Sequence, residues 1–267
     1  MRRISTNTNL TAFSRGGEKR MMTELLPLYA ERGWINFDLN FCEMMNPSSP
    51  LNDERSAAYI EELLELKKIL GIKYTQAHAP YPVSSEPSEE STEAILRSMD
   101  YAERLGIPQI VIHPIKGSIG ENIEYFESIL SRHSGNIMIA VENMEGKDEI
   151  GDADSLISIC RALSGRLTIC LDTGHLNIRG YSIPDFIKRT SGYLSATHIA
   201  DNDGKSDQHL LPGFGTIAWE DVMDAFNDYY EGSLNFECMF FSRNLPSSCS
   251  PEVIDLSLSV MSWLLQI

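Results

Sequence analysis

Two hydrophobic rhythms alternate along the chain. Short apolar or alternating runs at residues 3–7, 35–40, 72–77, 109–113, 137–142, 167–172, 194–198 and 234–238 predict eight strands. Between them lie longer stretches whose apolar residues recur every three to four positions, the spacing of an amphipathic helix. One such helix is expected to start at Asn52 or Asp53, to turn Tyr59, Leu63, Leu66 and Leu70 inward, and to stop at Gly71, which is free to take the left-handed conformation that ends helices. The next runs from about Ser88 to Gly106, just before Pro108, and Ser182 with Pro184 opens a shorter one. The last, residues 253–267, sets Ile254, Leu258, Met261 and Leu265 on one stripe. Asp255, Ser257, Ser259 and Ser262 interrupt it, so it reads as a closing helix and not a membrane anchor.

Eight strand-helix repeats without a long linker predict one domain over residues 1–267, a single (β/α)8 TIM barrel of the α/β class. An open doubly wound sheet would need a glycine-rich first turn. Here Thr6-Asn7-Thr8-Asn9 follows the first strand, and Gly213-x-Gly215 comes far along the chain without a third glycine, which argues against a dinucleotide site.

At 267 residues the chain has the length of one such barrel with ample core. Its formal charge of -16, from 38 acidic against 22 basic side chains, repels nucleic-acid phosphates at long range unless a local basic patch or bound cations reverse the field. Cys42, Cys160, Cys170, Cys238 and Cys249 form an odd set with no C-x-x-C, as expected of unpaired thiols in a reducing compartment. The N-terminal segment lacks the apolar core of a signal peptide, and no run of eighteen apolar residues occurs. The expected location is cytoplasmic, with no membrane partner; assembly as a homo-oligomer is compatible with the sequence.

In a barrel of this kind the C-terminal ends of all strands converge on one mouth. The third expected strand ends in Gln76-Ala77-His78, the fourth in His113, the fifth in Glu142-Asn143, the sixth in Asp172-Thr173-Gly174-His175, the seventh in His198 and the eighth in Glu237. After His198 the chain passes through a polar loop, up to Gly215, that adds Asp201, Asp203, Asp207 and His209, with Glu220 beyond. A lone strand-end histidine is ordinarily a hydrogen-bonded core residue, and a strand-end carboxylate often caps the next helix. Six strand ends bearing such residues together would desolvate like charges unless a cation compensates, and a divalent metal supplies that charge. His133 is expected only to complement a helix C-terminus, and Cys170 to pack below the mouth.

These residues resemble the superfamily of xylose-isomerase-like barrels, which includes sugar phosphate isomerases and epimerases and the endonuclease IV type of abasic-site nuclease. The resemblance covers nearly the whole chain. It implies a Glu, Asp, His, Glu metal square on the last four strands, here Glu142, Asp172, His198 and Glu237. Nuclease-like members hold a three-metal cluster with further ligands, whose positions here are His78, His113, His175, Asp207 and His209. The stretch D-N-D-G-K-x-D-x-H followed by G-x-G is also similar to members described as sugar isomerases. His78-Ala79-Pro80-Tyr81 fits the nuclease pattern, but Pro82-Val83-Ser84-Ser85 departs from the Leu-(Ile/Val)-Asn-Leu expected next, and Gly174 stands where the nuclease usually has Cys. These departures weigh against DNA recognition more than against metal binding.

The resemblance implies first a metal-dependent isomerase or epimerase acting on a sugar, sugar phosphate or related polyol. In that mechanism the metal chelates a carbonyl and a neighbouring hydroxyl and stabilises an enediolate. Glu142 and Glu237 trade the proton on opposite faces, which asks for a carboxylate pKa tuned upward. His175, with His78 and His113 where no second metal takes them, would bind substrate hydroxyls. Lys205, Arg179 and Lys116, on loops after the seventh, sixth and fourth strands, are candidates to hold a phosphate, or else solvated loop cations. The alternative is phosphodiester hydrolysis at a metal cluster bridged by Glu142, and a third reading is a metal-binding barrel without turnover, against which the Glu pair counts. One to three ions are expected; the histidines favour Zn, and the carboxylate-rich square accepts Mn, Co or Mg. The expected partner is a small molecule and not a nucleic acid.

Overall fold

The computed structural model describes residues 4–267 apart from 18, 82–86 and 164. Arg3, which opens the first expected strand, and residues 82–85, which depart from the nuclease pattern, lie outside the described residues. Eight parallel strands follow one another: β1 (Ile4–Thr6), β2 (Asn36–Asn40), β3 (Lys73–His78), β4 (Gln109–Ile112), β5 (Met138–Glu142), β6 (Leu167–Asp172), β7 (Leu194–His198) and β8 (Leu234–Phe236). They pair in the order β7-β6-β5-β4-β3-β2-β1-β8, and a parallel bridge between Ile199 and Phe236 joins the two ends of that row into a (β/α)8 TIM barrel.

Helices α1 (Met22–Glu31), α2 (Ser56–Ile69), α3 (Glu89–Arg104), α4 (Ile119–Arg132), α5 (Ala153–Ala162), α6 (Thr173–Arg179), α7 (Ile183–Thr190), α8 (Trp219–Tyr229) and α9 (Ser250–Leu264) fill the intervals. Ser88, Ser118, Asp152 and Ser182 each accept a first-turn N–H, which fixes where α3, α4, α5 and α7 begin. Two expected bounds shift. Residues Pro50–Asn52 first form a 3-10 turn capped by Ser49, so α2 starts at Ser56. α9 starts at Ser250 and rotates so that Val260 and Leu264 are buried while Leu258 and Leu265 are half-buried. Ser257 turns inward there, because its hydroxyl bonds the Ile254 carbonyl and accepts from the Trp34 indole. Among the described residues, no helix is long and apolar enough to cross a membrane.

The two-residue period of a strand sorts the side chains. On β2 the outward Phe37 and Leu39 join the large core between sheet and helices. Inside the barrel, Val111, Ala140, Cys170 and Ala196 form a small apolar cluster, and Ser5, Asp38, Gln76 and Asn235 a hydrogen-bonded one. Two positions beyond each of Gln76, Val111, Ala140, Cys170, Ala196 and Asn235 come His78, His113, Glu142, Asp172, His198 and Glu237. The chemistry-bearing residues are thus the next inward layer, and Cys170 is packing beneath it.

Candidate active site

That upper layer converges. Glu142, Asp172, His198 and Glu237 each bring one ligand-type atom within 4.8 Å of the others, and His78, His113 and Glu142 do the same beside them. Glu142 is the shared member: Oε1 lies 3.0 Å from His198 Nδ1, while Oε2 lies 3.1 Å from His113 Nε2 and 3.4 Å from His78 Nε2. Glu237 Oε2 reaches the same His198 Nδ1 at 3.1 Å. Of the third expected set, Asp207 Oδ2 lies 2.7 Å from His209 Nε2 and 3.7 Å from His175 Nε2, so it links two imidazoles without closing as tight a group.

Backbone carbonyls orient three of the rings. Nδ1 of His78 lies 2.8 Å from the Ala79 carbonyl, that of His175 2.8 Å from the Asn143 carbonyl, and that of His209 3.1 Å from the Glu237 carbonyl. A carbonyl only accepts, so each Nδ1 donates and Nε2 is the atom presented to the mouth. Asn143 also ties β5 to β6 through a reciprocal pair of bonds with the Asp172 backbone, at 3.0 and 2.8 Å. Asp172 Oδ1 in turn caps α6 by accepting the His175 N–H at 2.7 Å.

Asp201 knots the loop after β7. Its Oδ1 accepts from the backbones of Asn202, Thr216 and Ile217, and its Oδ2 from the Gly213 N–H and the Trp219 indole. A Cβ on Gly215 would stand 2.2 Å from that Oδ1, which accounts for the glycine. Asn202 fastens the loop to α6 by donating to the Gly174 carbonyl at 2.8 Å, and a Cβ at Gly174 would meet its Nδ2 at 2.9 Å. The other acidic residues of this stretch are engaged or exposed elsewhere. Asp201 is saturated by donors, Asp203 accepts from Lys205 and Ser206 in a local turn, and Glu220 lies exposed in the first turn of α8.

Residues 36–244 match the sequence profile of the family described as "Xylose isomerase-like TIM barrel". The chain belongs to this family. Among its relatives is a "Probable endonuclease 4" of Oceanobacillus iheyensis, 32% identical over 213 residues that cover 66% of this chain and 70% of the relative. Solved structures of the same fold include a "D-tagatose 3-epimerase-like protein" (TM-score 0.74, 20% identity, 100% of this chain and 97% of that one). Another is the "IOLI protein with a binding zinc atom" (TM-score 0.74, 16% identity, 99% and 98%).

In this family member the mouth is electrostatically tense. Burial favours a neutral Glu142, but the His198 and His113 imidazoles outweigh it and hold the carboxyl well below the usual range. The expected upward tuning therefore fails at Glu142. It falls on Asp172 instead, which burial raises to about 7 against the opposing His175. Burial also opposes the charged forms of His175 and His198, yet both stand well above the ordinary value, His175 chiefly through Asp172, and His198 through the Glu237 and Glu142 carboxylates. Burial depresses His113.

The donor set fits a divalent cation. Glu142 Oε2, Asp172 Oδ2 and both His198 nitrogens are buried without a hydrogen-bond partner, a costly arrangement for polar atoms aimed at one region. Imidazole nitrogens mixed with carboxylate oxygens suit Zn or Mn.

Of the three expected phosphate-binding cations, two have other partners and one is exposed. Arg179 donates to the carbonyls of Met144, Gly146 and Glu149 and lies over Tyr181, clamping the loop after β5. Lys116 pairs with Glu149 at 3.2 Å, and Lys205 is exposed at a loop tip. Other residues at the mouth were not legible as such. Glu145 Oε2, buried and unpaired, stands 3.4 Å from His175 Nε2, and Tyr81 stacks on His113 with centroids 5.2 Å apart. Glu145 follows Glu142 by one helical turn but lies on a loop, so no period marked it. A cavity of about 470 Å³ opens beside Tyr81, lined also by Met44, Met45, Ser91 and Arg97; none of the four converging residues lines it.

Proposed function

We propose that the protein is a divalent-metal-dependent isomerase or epimerase acting on a sugar, sugar phosphate or related polyol. The observation that carries this reading is the meeting of two carboxylates, Glu142 and Glu237, at one imidazole nitrogen, 3.0 and 3.1 Å from His198 Nδ1. Glu142, Asp172, His198 and Glu237 would hold the ion. When bound, it polarises a substrate carbonyl and eases loss of the neighbouring proton. Glu142, which its imidazole neighbours keep ionised, would take that proton on one face of the carbon, and Glu237 would return a proton on the other. His175 and Glu145 would bind substrate hydroxyls at the side of the mouth. The net charge of -16 and the engagement of Lys116 and Arg179 favour a small substrate over a long polyanion.

A second reading, phosphodiester hydrolysis, is favoured by one feature: His78 and His113 close a second ligand group on Glu142, and the relative from Oceanobacillus bears an endonuclease name. Incubating the metal-loaded protein in D2O with ketoses, ketose phosphates and inositol-derived ketones, and separately with an abasic-site duplex, separates the two. Deuterium entering a substrate carbon, and lost in Glu142→Gln, supports the isomerase. Metal-dependent cleavage of the duplex with no deuterium uptake replaces it with the hydrolase.

A further inference from the structure

Three imidazoles at the mouth are oriented by carbonyls through Nδ1; His198 is not. Its Nδ1 faces Glu142 and Glu237, and its Nε2 is buried with no hydrogen-bond partner. Two side chains stand near the ring on its inner side. The Cys170 thiol is one, and a thiol sulfur is only a weak acceptor. Asp38 is the other. Its Oδ2 lies 3.5 Å from His198 Nε2, and its Oδ1 is likewise buried and unpaired.

Asp38 is 2% exposed on β2, inside the barrel. Gln76 and Asn235 each donate an amide N–H to its Oδ2 at 2.9 Å. Ser5 donates to the Asn235 side-chain oxygen at 2.7 Å, which fixes the end of that amide facing Asp38. A buried carboxylate braced by donors, with one oxygen to spare beside an unpaired ring nitrogen, has the chemistry of the partner that sets a histidine's tautomer in metal sites.

We propose that Asp38 is the positioning residue for His198: by accepting from Nε2–H it presents the Nδ1 lone pair to the point shared by Glu142 and Glu237. This rests on the metal reading of that point. Closing the 3.5 Å gap between Oδ2 and Nε2 gives the unpaired ring nitrogen an acceptor. Without it, either nitrogen holds the proton, and metal binding must first select the correct form. Loss of such a partner typically weakens metal binding about 10–100-fold.

Protein loaded with an NMR-active cadmium isotope reports which nitrogen binds, because coupling through Nδ1 reaches ring proton Hε1 and not Hδ2. The wild type should couple to Hε1 of His198 alone and show a slowly exchanging Nε2–H. Asp38→Asn should lose that slow proton and bind zinc about 10–100-fold more weakly. Ser5→Ala, which removes a bond of the same layer but keeps the carboxylate, should retain both properties. Unchanged zinc affinity in Asp38→Asn, or an equal loss in Ser5→Ala, overturns the proposal. Should Asp38→Asn fail to fold, the wild-type spectrum decides, since coupling to both ring protons means binding through Nε2 and overturns it. Wild-type protein that takes up no cadmium sinks the metal reading, and this inference with it.

Discussion

The Trp219 indole donates to Asp201 at 2.9 Å, joining the first residue of α8 to the start of the loop that carries Asp207 and His209. With the four backbone donors on the same carboxylate, this bond closes the stretch 201–219 onto itself.

Replacing that carboxylate should therefore loosen the loop before the barrel. Asp201→Asn puts an NH2 group where donors converge, and each buried donor left unpaired costs about 1–3 kcal/mol. The denaturant midpoint should fall, and amide exchange should quicken selectively over residues 201–217. Uniform exchange and an unchanged midpoint would show that the knot contributes nothing.

Glu237→Gln removes one of the two carboxylates at His198 Nδ1 while leaving three of the four converging residues. Turnover of the true substrate should fall about 10²–10⁴-fold, the usual worth of a positioned acid or base, with metal still measurable on the protein. A variant that keeps its rate would remove Glu237 from the chemistry.

His209 gives a pH signature. Burial opposes its charged form, but Asp207 at 2.7 Å outweighs burial and raises the imidazole to about 9. In metal-free protein this pairing stabilises the fold fully below the ordinary histidine value of about 6.5, and the contribution is lost as pH rises through 9. A bound ion takes the proton's place, so zinc affinity should rise over that window and loading at neutral pH should release protons. Urea midpoints measured with and without zinc from pH 6 to about 10 check this; a metal-free midpoint that climbs across the window contradicts it.

Arg179 should behave as a structural clamp. Arg179→Ala unties three carbonyls of the loop after β5 and should lower stability by about 1–3 kcal/mol, with KM for a phosphorylated substrate little changed. A large rise in KM at unchanged stability would return it to the substrate site.

What the sequence determined was the barrel and the inventory of its mouth. Strands and helices differ in period, so alternating apolar rhythms mark them locally, and parallel strands in a barrel all end on the same side. The pattern alone thus brings the ligand-type residues at 78, 113, 142, 172, 198 and 237 to one mouth. Tertiary structure decided which polar groups are free. Asp201 and Arg179 look like candidate site residues in the chain, yet backbone groups from distant turns consume them. Asp38 shows the reverse case. Within N-F-D-L-N it is only an inward strand residue, and its meaning comes from Gln76, Asn235 and His198, which lie 38, 197 and 160 positions away along the sequence. Hydrogen bonds act over about 3 Å regardless of chain separation, whereas periodicity carries information only over a turn or two; pairings of that kind exist only once the barrel has closed.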